Sequence, residues 1–233
     1  MTKNDVYRSL EKQMVKYSDL KSVVIKECNE NFVALPSTGK GVIGIYSNKL
    51  DDMKNDFPLI SVRETVYKKL QLVNQGLKKI DPSLQLLVTY GYRSMEVQEK
   101  YFSQFYQKLK GKYSTELELL EAVHKLIAVP TVAGHPTGGA VDVTILKNGK
   151  EINMGTEIYD FSSKDIYSLS PFVSEKVQKN RNLLRTVMMK NNFAPFDGEW
   201  WHYSYGDKEW ACYYNKPNAT YRQKTVQEVL KEV

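Results

Sequence analysis

The feature that most constrains the fold is the alternating segment GGAVDVTILKNGKEI at residues 138–152. Apolar side chains recur at every second position, which is the period of a β-strand with one buried face. Asn148 and Gly149 then form the two-residue turn that β-hairpins prefer. The segment therefore predicts an antiparallel hairpin that places the face of Val141, Val143 and Ile145 in the core and turns Asp142 to the opposite side.

Helical periodicity surrounds this hairpin. Six segments carry apolar residues at helical spacing: residues 1–16, 61–80, 93–110, 114–126, 172–192 and 223–233. Ser94 is a predicted N-cap, and Thr115 with Glu118 fits a capping box. Residues 84–92 and 200–206 are rich in branched and aromatic side chains and are predicted to be strands. We expect a single α+β domain over residues 1–233, with helices packed against a small, mainly antiparallel sheet and a helical extension at about residues 1–28.

Composition and charge exclude several classes of protein. The net charge of +6 and a pI near 9.0 raise nucleic-acid binding as a hypothesis. The lysines, however, are scattered along predicted helices among glutamates, so we expect no nucleic-acid partner. The apolar runs are too short to span a bilayer, and no signal peptide is visible, which predicts no membrane insertion and a cytoplasmic, bacterial protein. Cys28 and Cys212 lack metal-site spacing and are expected to be free thiols.

Histidine is scarce, and two of the three histidines have unusual neighbours. His124 lies in a predicted helix without partners and is interpreted as a surface or packed helix residue and not as a ligand. His135 precedes the Gly138-Gly139 pair, which lets the chain fold back toward Asp142. An aspartate on a strand of branched residues is costly to bury unless it is paired or bound to a metal. A hydrogen bond between His135 and Asp142 that only fixes the loop is the structural alternative.

A second cluster lies in DGEWWHYSYGD at residues 197–207. Glu199 and His202 are an odd number of residues apart, so a regular strand would point them to opposite faces. Both can reach one cavity only if the chain bends between Asp197 and Trp200. The alternative is an exposed Glu199 beside a His202 that packs among aromatic residues.

Two imidazoles and one carboxylate suit a catalytic Zn²⁺ that keeps one coordination position open. The hypothesis assigns His135, Asp142 and His202 as ligands of one zinc ion per chain, with Glu199 as the carboxylate that moves protons. A similar ligand set occurs in non-haem Fe(II) oxygenases. Those enzymes bring the first histidine and the carboxylate two residues apart, whereas His135 and Asp142 are separated by seven, so zinc is favoured.

The motifs HPTGGAVD at residues 135–142 and EWWH at residues 199–202 resemble the zinc D-alanyl-D-alanine dipeptidases and carboxypeptidases. That family belongs to a wider group with the lysostaphin-type peptidases and the zinc-binding hedgehog domain. The likeness extends over LLVTYGYRS and INMGTEIYDF. It is strong at residues 86–205, weaker at 46–86 and absent before that.

The resemblance implies a role for each matched residue. His135, Asp142 and His202 would bind zinc, and Glu199 would act as general base and acid. Arg93 would hold the scissile carbonyl oxygen, although a salt bridge that only caps its strand is the alternative. Asp160 would bind the free amino terminus of a dipeptide.

The family usually has serine two residues before the first histidine, and this chain has Ala133. In the dipeptidases that serine helps to position the substrate, so the departure bears on recognition of the substrate carboxylate. The predicted function is zinc-dependent hydrolysis of D-alanyl-D-alanine or a similar small dipeptide. The alternatives are a D,D-carboxypeptidase, a peptidoglycan endopeptidase of the same fold, and a non-catalytic zinc-binding module. The oligomeric state is left open.

Overall fold

The structure is a computed structural model that describes residues 1–233. Its centre is a sheet with the strand order β2-β4-β5-β8-β7, and β6 pairs with β5 in addition. Only β2 and β4 run parallel, and every other pair in this sheet is antiparallel. The strands are β1 (Phe32–Ala34), β2 (Ile43–Gly44), β3 (Ser61–Arg63), β4 (Leu84–Tyr90), β5 (Ala140–Lys147), β6 (Lys150–Glu151), β7 (Ala194–Pro195) and β8 (His202–Ser204).

Helices surround this sheet, and the predicted α+β class with a small, mainly antiparallel sheet is confirmed. They are α1 (Lys3–Gln13), α2 (Tyr17–Lys21), α3 (Glu64–Ile80), α4 (Met95–Leu109), α5 (Glu116–His124), α6 (Glu175–Lys190), α7 (Lys208–Tyr213) and α8 (Val226–Leu230). Three short 3₁₀ turns lie at Pro130–Val132, His135–Thr137 and Lys164–Ile166. No helix is both long and apolar enough to cross a lipid bilayer.

The hairpin of β5 and β6 has the predicted turn. Asn148 and Gly149 both have positive φ angles, of 51° and 76°, as a tight hairpin turn of this kind requires. Val141, Val143 and Ile145 are fully buried in the main hydrophobic cluster, which also contains residues of α3 and α6. This packing fixes the register of β5, because a slip by one residue would exchange its two faces.

The helix expected to start at Ser61 begins later, and this part of the prediction is wrong. Residues Ser61–Arg63 form β3, which pairs with β1 in a separate two-stranded sheet, and α3 starts at Glu64. Val62 is fully buried all the same, so it contributes to the apolar pattern from a strand. The Arg63 side chain is also fully buried and donates to the carbonyl oxygens of Thr137 and Glu30.

The helix stripe and the helix caps are otherwise as predicted. Four residues of α3 at helical spacing are fully buried: Val66, Leu70, Val73 and Leu77. Ser94 accepts a hydrogen bond from the Val97 N–H at the start of α4. Thr115 and Glu118 form the reciprocal capping box of α5. These caps satisfy backbone N–H groups that lack partners inside their helices.

The N-terminal segment packs less deeply than the sheet. No residue of α1 is buried, whereas α2 buries Leu20 against Val129 and Val132. The main hydrophobic cluster, in contrast, draws on residues from Leu35 to Tyr221. The predicted division into one domain and an N-terminal extension stays a prediction.

Candidate active site

A cavity of about 320 Å³ opens where β4, β5 and β8 lie side by side. Five of the six residues singled out in the sequence line this cavity: Arg93, His135, Asp142, Glu199 and His202. They come from four separate segments of the chain, and the fold brings them together.

His135 reaches the cavity from the 3₁₀ turn that precedes β5. Gly138 ends this turn with a φ of 72°, a left-handed conformation that glycine adopts without steric cost. The Nδ1 atom of His135 lies 2.8 Å from the carbonyl oxygen of Gly91, which follows β4. A carbonyl can only accept, so Nδ1 carries the proton and Nε2 is left with a free lone pair. This Nε2 atom lies 3.5 Å from Oδ2 of Asp142.

Asp142 and His202 are joined by the register of β5 and β8. The two residues are directly opposite each other, and Nδ1 of His202 lies 3.0 Å from Oδ1 of Asp142. The rings of His135 and His202 have their centroids 5.0 Å apart. One nitrogen from each imidazole and one oxygen of Asp142 all lie within 4.8 Å of one another.

The electrostatics of the Asp142 carboxylate follow from this crowding. Burial on its own would raise the pKa of Asp142, since it disfavours the charged form. The imidazoles of His135 and His202 outweigh this effect and hold the pKa of Asp142 below its usual value. The Tyr159 hydroxyl also donates a hydrogen bond to Oδ2 at 3.0 Å. Asp142 is therefore an ionised carboxylate inside the protein.

The predicted bend before His202 is present. Residues 197–201 form turns, and the N–H of His202 donates to the carbonyl of Glu199 while the N–H of Glu199 donates to that of Phe196. The strand thus begins at His202, and Trp200 precedes it in the turn. This turn lets Glu199 and His202 face the same cavity.

Glu199 is poorly solvated in this position. Removal from water raises the pKa of its carboxyl group to about 8, and the nearby His202 only partly opposes this rise. Hydrogen bonds to the Glu199 carboxyl group do not contribute to this rise in pKa. A carboxyl group with such a pKa can accept and return a proton near neutral pH.

Arg93 lies just after β4 and is 4% exposed. Its Nη1 atom donates to the side-chain oxygen of Gln98 at 3.0 Å, and the guanidinium lies 4.7 Å from the centre of the Tyr90 ring. Its Nε atom is buried and has no hydrogen-bond partner. No acidic side chain forms a salt bridge with Arg93, so the strand-capping ion pair considered above is not formed. The guanidinium keeps donor capacity for a ligand.

Asp160, the sixth predicted residue, does not line the cavity. Its carboxylate accepts hydrogen bonds from the backbone N–H and the hydroxyl of Ser162, and the Ser162 hydroxyl is the main cause that lowers the pKa of Asp160. Its neighbours Tyr159 and Phe161 line the cavity instead. The role of Asp160 in binding an amino terminus stays a prediction.

The sequence reasoning missed three polar residues of this region. Gln98 is buried and holds Arg93. Tyr159 donates to Asp142. Glu209, in the first turn of α7, lies with Oε2 at 3.6 Å from Nε2 of His202. Asp207 is a typical N-cap residue, so a helix start near Glu209 could be predicted, but the contact of Glu209 with His202 could not.

His124 also lines the cavity, which was not foreseen. It is 8% exposed, and its Nδ1 atom accepts a hydrogen bond from the backbone N–H of Val129 at 3.3 Å. Burial lowers the pKa of His124 and favours the neutral ring. It is thus a packed helix residue, in agreement with its interpretation from the sequence.

The donor set of His135, Asp142 and His202 fits a zinc ion. Two imidazole nitrogens and one carboxylate oxygen are the ligand types of catalytic zinc sites, and all three residues line the cavity. Both imidazoles have a protein acceptor near the nitrogen that points away from Asp142. Asp142, Glu199 and Glu209 all line the cavity into which these donor atoms face. Their acidic side chains favour a cation there.

Comparison with known proteins gives a consistent family. The sequence pattern of the Peptidase_M15 family, described as D-ala-D-ala dipeptidase, matches residues 70–224. A D-alanyl-D-alanine dipeptidase of Synechocystis sp. is 27% identical over 231 residues, which cover 87% of this chain and 92% of that protein. A D-alanyl-D-alanine dipeptidase of Enterococcus faecium is 28% identical over 107 residues, or 45% of this chain and 52% of that protein.

Among solved structures, the LdcB LD-carboxypeptidase aligns over 89% of this chain and 80% of its own, with 20% identity and a TM-score of 0.45. The family match alone covers the segment from α3 to the end of the loop after α7, and so contains all the residues that line the predicted metal site. On this match, the chain belongs to the Peptidase_M15 family of D-ala-D-ala dipeptidases.

Proposed function

We propose that this chain is a zinc-dependent peptidase that hydrolyses D-alanyl-D-alanine or a similar small dipeptide. One observation carries the proposal. Three metal-ligand atoms lie within 4.8 Å of one another, on the wall of a cavity that also contains the Glu199 carboxylate and the Arg93 guanidinium. The Synechocystis relative is named a D-alanyl-D-alanine dipeptidase.

His135, Asp142 and His202 would hold the ion. When bound, Zn²⁺ supplies a Lewis acid that polarises a carbonyl group and acidifies water near neutral pH. The protein contributes ring nitrogens held in place by hydrogen bonds and a carboxylate that is already ionised. The ligand side chains therefore need little movement when the metal binds, and His202 gives up the Nδ1 proton that it donates to Asp142.

Glu199 would move the proton. Its carboxyl group has no hydrogen bond to stabilise either form, and loss of water raises its pKa to about 8. In the proposed reaction it takes a proton from the attacking water and delivers that proton to the departing amine. A group with a pKa near the operating pH serves both steps well.

Arg93 would stabilise the negative charge that develops on the scissile carbonyl oxygen. Its guanidinium is held by Gln98 and stacks on Tyr90, so it is oriented before the substrate binds. A fixed donor in a site with little water stabilises developing charge far more than the same donor does in bulk solvent.

The size of the cavity favours a small substrate. Ligand pockets range upward from about 300 Å³, and a cavity of about 320 Å³ lies at the low end of that range. A free dipeptide also brings an ammonium group, for which the resemblance to the family suggests Asp160. Because Asp160 bonds to Ser162 and does not line the cavity, this role requires its side chain to turn toward the substrate.

Substrate length separates the dipeptidase from the carboxypeptidase and endopeptidase alternatives. We expect hydrolysis of free D-alanyl-D-alanine to exceed that of an N-acylated tripeptide with the same C-terminal residues. We expect Asp160→Asn to raise KM for the free dipeptide and to leave the acylated peptide unaffected. Faster hydrolysis of the acylated tripeptide would favour the carboxypeptidase.

The decisive experiment combines metal content with activity. The purified protein should contain about one zinc per chain, lose dipeptide hydrolysis on chelation and regain it when zinc is added back. Activity that survives complete removal of the metal would overturn the proposal. Zinc binding with no hydrolysis of any D-amino-acid peptide would favour the non-catalytic module. A cytoplasmic location is a separate proposal, which cell fractionation checks.

A further inference from the structure

The two imidazoles turn opposite ring nitrogens toward Asp142. His135 approaches with Nε2, and its Nδ1 lies 2.8 Å from the Gly91 carbonyl. His202 approaches with Nδ1, and its Nε2 lies 3.6 Å from Oε2 of Glu209. Each ring thus lies between Asp142 and a second acceptor. For His135 this acceptor is the neutral Gly91 carbonyl, and for His202 it is the Glu209 carboxylate.

The tautomer of His202 follows from this arrangement. Nδ1 can bind a metal only if it has no proton, so the neutral ring must carry its proton on Nε2. The acceptor that faces Nε2 is the Glu209 carboxylate, and a slight rotation of either side chain brings the two atoms from 3.6 Å to hydrogen-bond distance. Histidines that bind metals generally donate their other N–H to such a group, which fixes the ring and makes it a stronger ligand.

Glu209 is held in this position by the start of α7. Asp207 caps the helix by accepting a hydrogen bond from the Trp210 N–H at 2.9 Å, and Glu209 lies in the first turn. The Glu209 side chain is 15% exposed, and its Oε1 atom is buried without a hydrogen-bond partner. A carboxylate with so little solvent is costly unless a donor or a cation compensates for it. The ion-pair contact of this carboxylate is with the His202 ring.

We propose that Glu209 is a positioning residue of the metal site, which acts through His202 without binding metal or substrate. Its carboxylate selects the Nε2–H tautomer, aims Nδ1 at the ion and strengthens Nδ1 as a ligand. This inference rests on the proposed function, because it assumes that His202 is a metal ligand.

The test measures zinc affinity by competition with a chromophoric chelator in wild type, Glu209→Gln and Glu209→Ala. We expect the zinc dissociation constant to rise about 10- to 100-fold in Glu209→Ala, the range found for the loss of such outer partners. Glu209→Gln keeps an acceptor oxygen but loses the charge, so its zinc dissociation constant should rise less than that of Glu209→Ala. Glu175→Gln is the matched control, since Glu175 is an exposed glutamate in the first turn of α6 and α6 contributes no ligand.

Two further readouts separate positioning from other roles. Circular dichroism of the metal-free protein should show the same fold in wild type and Glu209→Gln, and if the alanine variant does not fold, the glutamine variant decides. In zinc-loaded wild type, nitrogen NMR should find the His202 proton on Nε2. Wild-type zinc affinity in both Glu209 variants would overturn the inference. If zinc affinity is unchanged and KM rises in these variants, Glu209 is a substrate ligand instead. If wild type itself binds no zinc, the proposed function fails first.

Discussion

Asp142 on β5 and His202 on β8 are directly opposite each other in an antiparallel pair, and their side chains meet at 3.0 Å. The pairing is a consequence of the core, because Val141 and Val143 on either side of Asp142 are fully buried against the helices. A shift of β5 by one residue would turn these valines toward the cavity and Asp142 into the core. The hydrophobic register therefore also sets the spacing of the two proposed metal ligands.

The first prediction concerns this pair. Asp142→Asn keeps the shape of the side chain and removes the charge, so we expect zinc binding to be lost or strongly weakened. In wild type, zinc at about 1,000 times its dissociation constant should stabilise the fold by about 4 kcal/mol. The zinc-induced rise in melting temperature should be absent in Asp142→Asn. An equal rise in both proteins would remove Asp142 from the ligand set.

The hairpin that carries Asp142 could be predicted because its signals are local. Alternation over β5 and the Asn148-Gly149 turn need no knowledge of the rest of the chain. The caps at Ser94 and Thr115 are also local, and both are present. The strand Ser61–Arg63 could not be predicted in this way, because it depends on pairing with β1, which lies about thirty residues earlier.

The candidate site shows the same division. His135, Asp142, Glu199 and His202 lie in motifs whose spacing can be read directly, and the cavity contains all four. Glu209 on α7 contacts His202, and Gln98 on α4 contacts Arg93. Only the tertiary structure reveals these two contacts. Asp160 is the opposite case. It lies in a segment that resembles the family, yet its carboxylate bonds to Ser162 and does not line the cavity.

The second prediction tests the proton carrier. Glu199→Ala should keep stoichiometric zinc, because Glu199 is not among the three grouped ligands, and should lose about 10²- to 10⁴-fold in turnover. Metal analysis and steady-state kinetics on the same sample measure both properties. Turnover at the wild-type rate would show that another group, or none, moves the proton.

The third prediction concerns Arg93. Arg93→Lys keeps a positive charge but cannot keep both the contact with Gln98 and a donor aimed at the substrate. We expect kcat to fall about 10²- to 10³-fold, as when one donor to a developing oxyanion is removed, with zinc content unchanged. Gln98→Leu should produce a smaller loss of kcat through the same guanidinium. A change in KM alone would assign Arg93 to ground-state binding.

The fourth prediction addresses the alanine that replaces the usual serine of the family. Ala133 is 2% exposed and lines the cavity two residues before His135. Ala133→Ser adds a hydroxyl at the position where the resemblance to the family implies a serine that positions the substrate. We expect a lower KM for D-alanyl-D-alanine with little change in kcat, since the hydroxyl should bind ground state and transition state alike. The reverse result, a higher KM, would mean that this chain holds the substrate carboxylate in another way.

The last prediction concerns Gly138, which ends the turn that carries His135. Its φ is 72°, and an added Cβ atom would lie 2.2 Å from the ring of Phe32, which is fully buried among Met53, Phe57, Tyr90 and Tyr92. Gly149 has a similar φ of 76°, but nothing lies within 4 Å of an added Cβ. The two positions therefore share the backbone cost and differ only in the collision.

We expect Gly149→Ala to lower the free energy of unfolding by about 1 kcal/mol, from the positive φ alone. Gly138→Ala should lower it by about 2–4 kcal/mol, because overpacking against a rigid ring adds its own cost. Urea denaturation of both metal-free variants measures the difference. Gly138→Ala should also weaken zinc binding, because relief of the collision displaces the backbone of the turn that contains His135. Equal losses of stability in the two variants would mean that Phe32 can move aside and that the turn is held less tightly than its packing indicates.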